Sequence, residues 1–165
     1  MTNREFFIHQ CAAEHPRFVG VFESTPAERL DYRPHPRSRS AQELIGHLIG
    51  HELDLVELCR TGSINHRMQV PFESLADALR IYRQAHQDLT PALSGLDDGA
   101  WESTGSFKVG GRTVMEATRR DLAWMLLLDA VHHRGQLSTY LRPMGGTVPA
   151  IYGPSADTMP AAAAG

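Results

Sequence analysis

Apolar side chains recur at helical spacing in four stretches of the chain. Phe7, Cys11, Glu14, Phe18 and Val21 mark the first, from Thr2 to about Glu23, with Pro16 inside it expected to kink or interrupt the helix. Leu44, Leu48, Leu55 and Leu58 mark the second, from Ser40 to Cys59 or Arg60. Leu75, Leu79, Tyr82, His86, Leu89 and Leu93 define the buried face of the third, from about Ser74 to Ser94, where Pro91 can distort the last turns. The fourth starts near Thr113 and stops at Pro143. Its stripe runs through Leu122, Leu126, Asp129, His133, Gln136, Leu137 and Tyr140.

The segments between these stretches carry helix-ending and turn-forming residues. Thr25-Pro26 with Glu28, and Ser40 with Glu43, each have the spacing of a capping box. Asp31 to Ser40 holds two prolines, which exclude a regular helix or a central strand. Thr61-Gly62-Ser63 ends the second helix, and a loop is expected up to Pro71. Gly95 to Arg112 is a long connection in which Ser106 to Val109, followed by Gly110-Gly111, could form a small ribbon. Four helical patterns with little strand content predict an all-α fold, an antiparallel four-helix bundle. Residues 1–158 are read as one domain, and 159–165, mostly Pro and Ala, as a mobile tail.

Composition narrows the class. The chain has 165 residues, enough for one sizeable core. With 42% hydrophobic and 21% charged residues it reads as globular. A net charge of −3 without a basic run argues against nucleic acid and anionic membranes as partners. The apolar run Leu122 to Leu128 is too short to span a bilayer, and Met1 to Phe7 has no signal-peptide core, so the cytoplasm is expected. Cys11 and Cys59 lack CxxC spacing and read as two free thiols, inert in apolar surroundings. Nine histidines against 16 Lys and Arg is a high ratio, and histidine is the common residue for metal ligation and proton transfer.

Asp129 and His133 lie one turn apart on the buried stripe, so both side chains point the same way. Each needs a partner there, and one divalent metal would satisfy both. His47 and His51, also one turn apart on or beside the second helix's stripe, compete as a third ligand. Two nitrogens and one oxygen suit Zn²⁺, Ni²⁺, Fe²⁺ or Mn²⁺. The plainer alternative is that Asp129 and His133 bond each other, or that Asp129 pairs with an arginine. His132 sits about 100° from His133 and faces solvent or a loop. His86 is read as a satisfied core histidine, with a fourth ligand as the alternative. His9, His15, His35 and His66 show no pattern and are expected to be exposed. Gly135, inside a helix, suggests close helix packing. Arg134 is expected in a surface salt bridge.

At these residues the chain resembles the DinB-like family of metal-dependent proteins. Asp31-Tyr32-Arg33-Pro34 with Ser38-Arg39-Ser40, Glu43 to Leu48, His132 to Leu137, and Pro143 to Gly146 with Val148 to Ser155 carry the resemblance, in order and over nearly the whole chain. It implies a four-helix bundle, often a homodimer, with a divalent ion on three histidines. By position the first is His47 and the last His133. The middle one falls on Asp129, a departure that lowers the site's charge and favours harder ions such as Fe²⁺ or Mn²⁺. The change could equally have weakened or abolished the site. Related bundles include thiol-dependent transferases and isomerases. The expected function is therefore a metal-dependent hydrolase or thiol transferase acting on a small molecule, with the ion activating water or a thiol. Gln136 and His51 would support the ligands or the substrate, and Arg134 is a weaker candidate for an anionic group. No catalytic residue is assigned. The alternative is a non-catalytic metal-binding or stress-response dimer.

Overall fold

The computed structural model describes residues 1–159; the expected mobile tail lies outside them except for Met159. Four long helices dominate: α1 (Asn3–Glu23), α2 (Ala41–Thr61), α3 (Leu75–Ser94) and α5 (Arg119–Leu141). A short α4 (Asp98–Glu102) and a three-stranded sheet complete the fold, with β1 (Ser63–Asn65), β2 (Thr104–Val109) and β3 (Arg112–Thr118) in that order. The fold is thus mainly helical but not purely so. Among the described residues, no helix is long and apolar enough to cross a membrane.

Local signals place most helix ends. Ser40 and Glu43 form both bonds of their capping box, Ser74 caps α3, and Gly62 ends α2 with φ 75°, where a side chain would be strained. The Thr25–Glu28 box does not form. Thr25 Oγ1 instead donates back to the Val21 carbonyl, and a single 3-10 turn, Ala27–Arg29, follows. Pro16 does not interrupt α1, which runs unbroken through it. The fourth helix begins at Arg119, not near Thr113. Thr118 caps it, while residues 112–118 pair antiparallel with β2 around the Gly110-Gly111 turn, both glycines having positive φ. The β-branched residues Thr113, Val114 and Thr118 suit that extended path.

The core divides in two. One cluster gathers Phe18, Phe22, Leu44, Leu48, Tyr82 and Leu137, and the other Phe7, Leu55, Leu58, Leu89, Trp101 and Leu122. Following these residues along each helix fixes its direction. α2 and α3 run from the first cluster to the second, and α1 and α5 run the opposite way. The bundle is therefore not antiparallel throughout. The cause is the connection after α2. It doubles back along that helix, so that the Val70 N–H donates to the Gly46 carbonyl and α3 restarts at the end where α2 began. Gly46 and Gly50 permit this approach. A Cβ at 46 would lie 2.6 Å from the Val70 oxygen, and one at 50 would collide with the Arg67 oxygen.

Between the two apolar clusters the helices carry a polar waist: Glu14 and His15 on α1, His47, His51, Glu52 and Asp54 on α2, His86 on α3, and Asp129, His133 and Arg134 on α5.

Candidate metal centre

The α2 and α5 faces of this waist bring four ligand-type side chains together. Single donor atoms of His47, His51, Asp129 and His133 all lie within 4.8 Å of one another. His47 and His51 are 3% exposed, whereas the Asp129 side chain is 44% exposed, so the group opens on its carboxylate side. Asp129 Oδ2 lies 2.8 Å from His51 Nε2, 3.4 Å from His133 Nε2 and 3.7 Å from His47 Nε2. Two ligands each about 2.1 Å from one ion sit about 3.0 Å apart at right angles and about 3.4 Å apart at the tetrahedral angle. The spacings bracket those values.

Hydrogen bonds behind the rings set their tautomers. His47 Nδ1 is 2.9 Å from the Met68 carbonyl, which can only accept, so Nδ1 carries the proton and Nε2 keeps its lone pair. At His133 the order runs through three links. Tyr140 Oη donates to the Arg39 carbonyl (3.2 Å), Gln136 Nε2 donates to Tyr140 Oη (3.1 Å), and Gln136 Oε1 therefore faces His133 Nδ1 (3.0 Å). His133 Nε2 is left free towards Asp129. Outer partners of this kind orient metal-bound histidines. His51 differs: both its ring nitrogens are buried without a hydrogen-bond partner, since Nε2 is close to Asp129 but out of line for a hydrogen bond. An orphaned imidazole nitrogen is costly, and an ion among the four groups would engage the Nε2 that faces Asp129. The residues present fit a divalent metal.

Protonation agrees with ligation. Burial, then the neighbouring His51 and Arg39, holds His47 down at about 3. His133 is also lowered, chiefly by burial. The adjacent His51 holds the Asp129 carboxyl below its usual range, against the opposing effect of burial. The lone pairs of His47 and His133 and the carboxylate of Asp129 are thus free of protons at neutral pH. A cavity of about 220 Å³ reaches the group, lined by His51, His66, Phe107, Met125, Leu126 and Asp129.

The expected trio His47, Asp129 and His133 is brought together, and His51 stands among them as a fourth member rather than behind them. Gln136 lies behind His133. Arg134 is not on the surface. It is 1% exposed, paired with Glu14, bonded to Tyr152 Oη at 2.6 Å and set over the Phe18 ring at 4.6 Å. It holds α1, α5 and the C-terminal segment together, away from the candidate centre. Gly135 is exposed, and nothing lies within 4 Å of where its Cβ would be, so close packing does not explain it. His132 is exposed, as expected, as are His9 and His35.

Two histidines expected at the surface are drawn inwards. His66 Nδ1 bonds Asp54 at 2.7 Å, and Asp54, fully buried, also takes Arg67 at 2.6 Å. Asp54 lies three residues after His51, so the α2 stripe already held a signal for it; His66 arrives from the doubled-back connection. His15 stacks on His86, whose Nδ1 bonds Glu52 at 2.7 Å. Cys11 and Cys59 are free and buried, and burial raises both thiols, that of Cys59 to about 12.

A sequence profile of the DinB superfamily matches residues 10–137, well over half the chain. No curated protein matches it. Among solved structures, a DinB-like protein from Bacillus cereus superposes with a TM-score of 0.73 at 19% identity, covering 90% of this chain and 97% of that one. A DinB-like protein from Bacillus subtilis gives a TM-score of 0.69 at 17% identity, covering 93% and 99%. At these identities the likeness concerns the fold.

Proposed function

The chain belongs to the DinB superfamily, and on that premise we propose that it is a metal-dependent enzyme of the hydrolase or thiol-transferase type. One observation carries the reading. The Nδ1 atoms of His47 and His133 are bonded outwards, so their Nε2 lone pairs meet the Asp129 carboxylate and the unpartnered His51 ring at one point. His47, Asp129 and His133 are the proposed ligands, and His51 the fourth. A bound divalent ion would supply Lewis-acid activation of water or of a thiol.

The chain's own residues do the rest. Met68 and Gln136 keep the two rings aimed. The partly exposed Asp129 and the adjoining cavity leave one side of the group open to a small molecule, whereas a closed structural site has no such approach. Phe107, Met125 and Leu126 give that cavity an apolar wall, which excludes water from one side of a bound substrate. Three neutral imidazoles and one carboxylate leave a divalent site with a net charge of about +1, and with one hard oxygen ligand this favours Zn²⁺, Fe²⁺ or Mn²⁺.

The test is elemental analysis of protein purified without a chelating tag, beside Asp129→Ala and His51→Ala. About one transition metal per chain is expected, lost in Asp129→Ala and weakened in His51→Ala. No metal after reconstitution would overturn the reading and leave a degenerate site.

A further inference from the structure

A second cavity, of about 330 Å³, lies at the start of α2, lined by Arg33, Arg37, Ser38, Arg39, Met68 and Gln69, among others. Its walls are bound to the candidate centre from behind. Met68, whose carbonyl accepts from His47 Nδ1, lines it, and so does Arg39, whose carbonyl ends the chain of bonds from His133 through Gln136 and Tyr140.

The cavity is built for negative charge. Three guanidinium groups border it in a protein whose net charge is −3. The one carboxylate at its edge, Glu43, is already engaged: it accepts from the Ser40 N–H at 2.6 Å and pairs with Arg33 at 3.3 Å. Among the described residues neither Arg37 nor Arg39 has a carboxylate partner. Arg39 Nη1 is moreover buried with no hydrogen-bond partner. A buried cationic donor without an acceptor is costly and calls for one. Pro34 and Pro36 restrict the segment that carries the arginines, which lowers the entropy lost on binding. The volume is at the small end of ligand pockets.

We propose that this arginine pocket binds a small oxyanion, carboxylate or phosphate, at a site of its own behind the ligand rings and separate from the cavity on the Asp129 side. The guanidinium fork matches either group through paired N–H donors. The anion site does not depend on the metal-centre reading.

The experiment therefore begins without metal. Inorganic phosphate and succinate are titrated calorimetrically into metal-free wild-type protein, Arg39→Gln, Arg37→Gln and His133→Ala. One saturable site is expected, with affinity reduced about tenfold or more in Arg39→Gln and less in Arg37→Gln. His133→Ala should bind the anion as wild type does. Tighter binding of phosphate than of succinate would identify a phosphate-bearing ligand, and the reverse a carboxylate. Arg37 is exposed, so its variant still decides the matter if Arg39→Gln does not fold. The proposal is overturned if neither anion binds saturably below about 10 mM, or if both arginine variants bind as wild type does. Retained anion binding in a protein that takes up no metal would sink the metal centre and leave the anion site standing.

Discussion

Two clusters of metal-ligand residue types hang on adjacent residues of α2, and they are not alike. His51 turns towards α5 and joins His47, Asp129 and His133. Glu52 turns towards α1 and α3 and meets His15 and His86. Donor atoms within each cluster lie within 4.8 Å of one another. In the second, however, the Glu52 carboxylate is already taken by His86, and the His15 and His86 rings stack with centroids 3.8 Å apart and planes 13° apart. Rings lying face to face cannot both aim an in-plane lone pair at one ion. In the first cluster, His47 and His133 cross at 76°, and each is locked from behind by an oxygen acceptor. Residue type and proximity are shared by both; convergence of free lone pairs belongs to one. That convergence is made by the hydrogen bonds behind the rings.

The sharpest way to break this contrast is to remove one histidine from each cluster. His133→Ala should lose metal by at least about a hundredfold in affinity, since it deletes a ligand, while His86→Ala should retain it. Competition with a chromophoric chelator reads both constants. Metal retained by His133→Ala but lost by His86→Ala would exchange the roles of the two clusters. A smaller effect tests the outer bonds alone. Gln136→Leu frees the His133 ring and should weaken the metal about 10- to 100-fold without removing a ligand. An unchanged affinity would mean that packing, not this bond, aims the ring.

The smallest effect concerns stability and the second cluster. Burial, then His86 and Arg83, lowers His15 to about 4 from its ordinary 6.5. Between those values the unfolded chain binds the proton and the folded chain does not, so stability falls as pH drops from about 6.5 towards 4. In His15→Gln the fall in melting temperature of metal-free protein over that range should shrink by about one to a few degrees. An identical slope in the variant would show that His15 does not contribute to the acid sensitivity.

What could be read beforehand divides along physical lines. The pairing of Asp129 with His133 was visible because both lie on one helix, where a four-residue step fixes direction. His47 and His51 were visible as alternatives, but choosing between them required the packing of α2 on α5, and the packing places both. His66 was misread because its partner Asp54 is reached only through the returning connection. Arg134 was misread because its partners, Glu14 and Tyr152, come from opposite ends of the chain. The extra turns assigned to the fourth helix went wrong because residues 112–118 pair with β2, a contact that helical spacing does not describe.

The sequence by itself determined four helices, most of their ends, and the facing of each polar residue within its own helix, because periodicity, caps and glycines act over a few residues. Only the tertiary structure decided the direction in which α3 runs, the approach of Met68 to His47, and the meeting of the His47/His51 pair with the Asp129/His133 pair in one waist. Those depend on Gly46 and Gly50 admitting a distant backbone and on two apolar cores closing on either side. Neither condition is written in any single stretch of the chain.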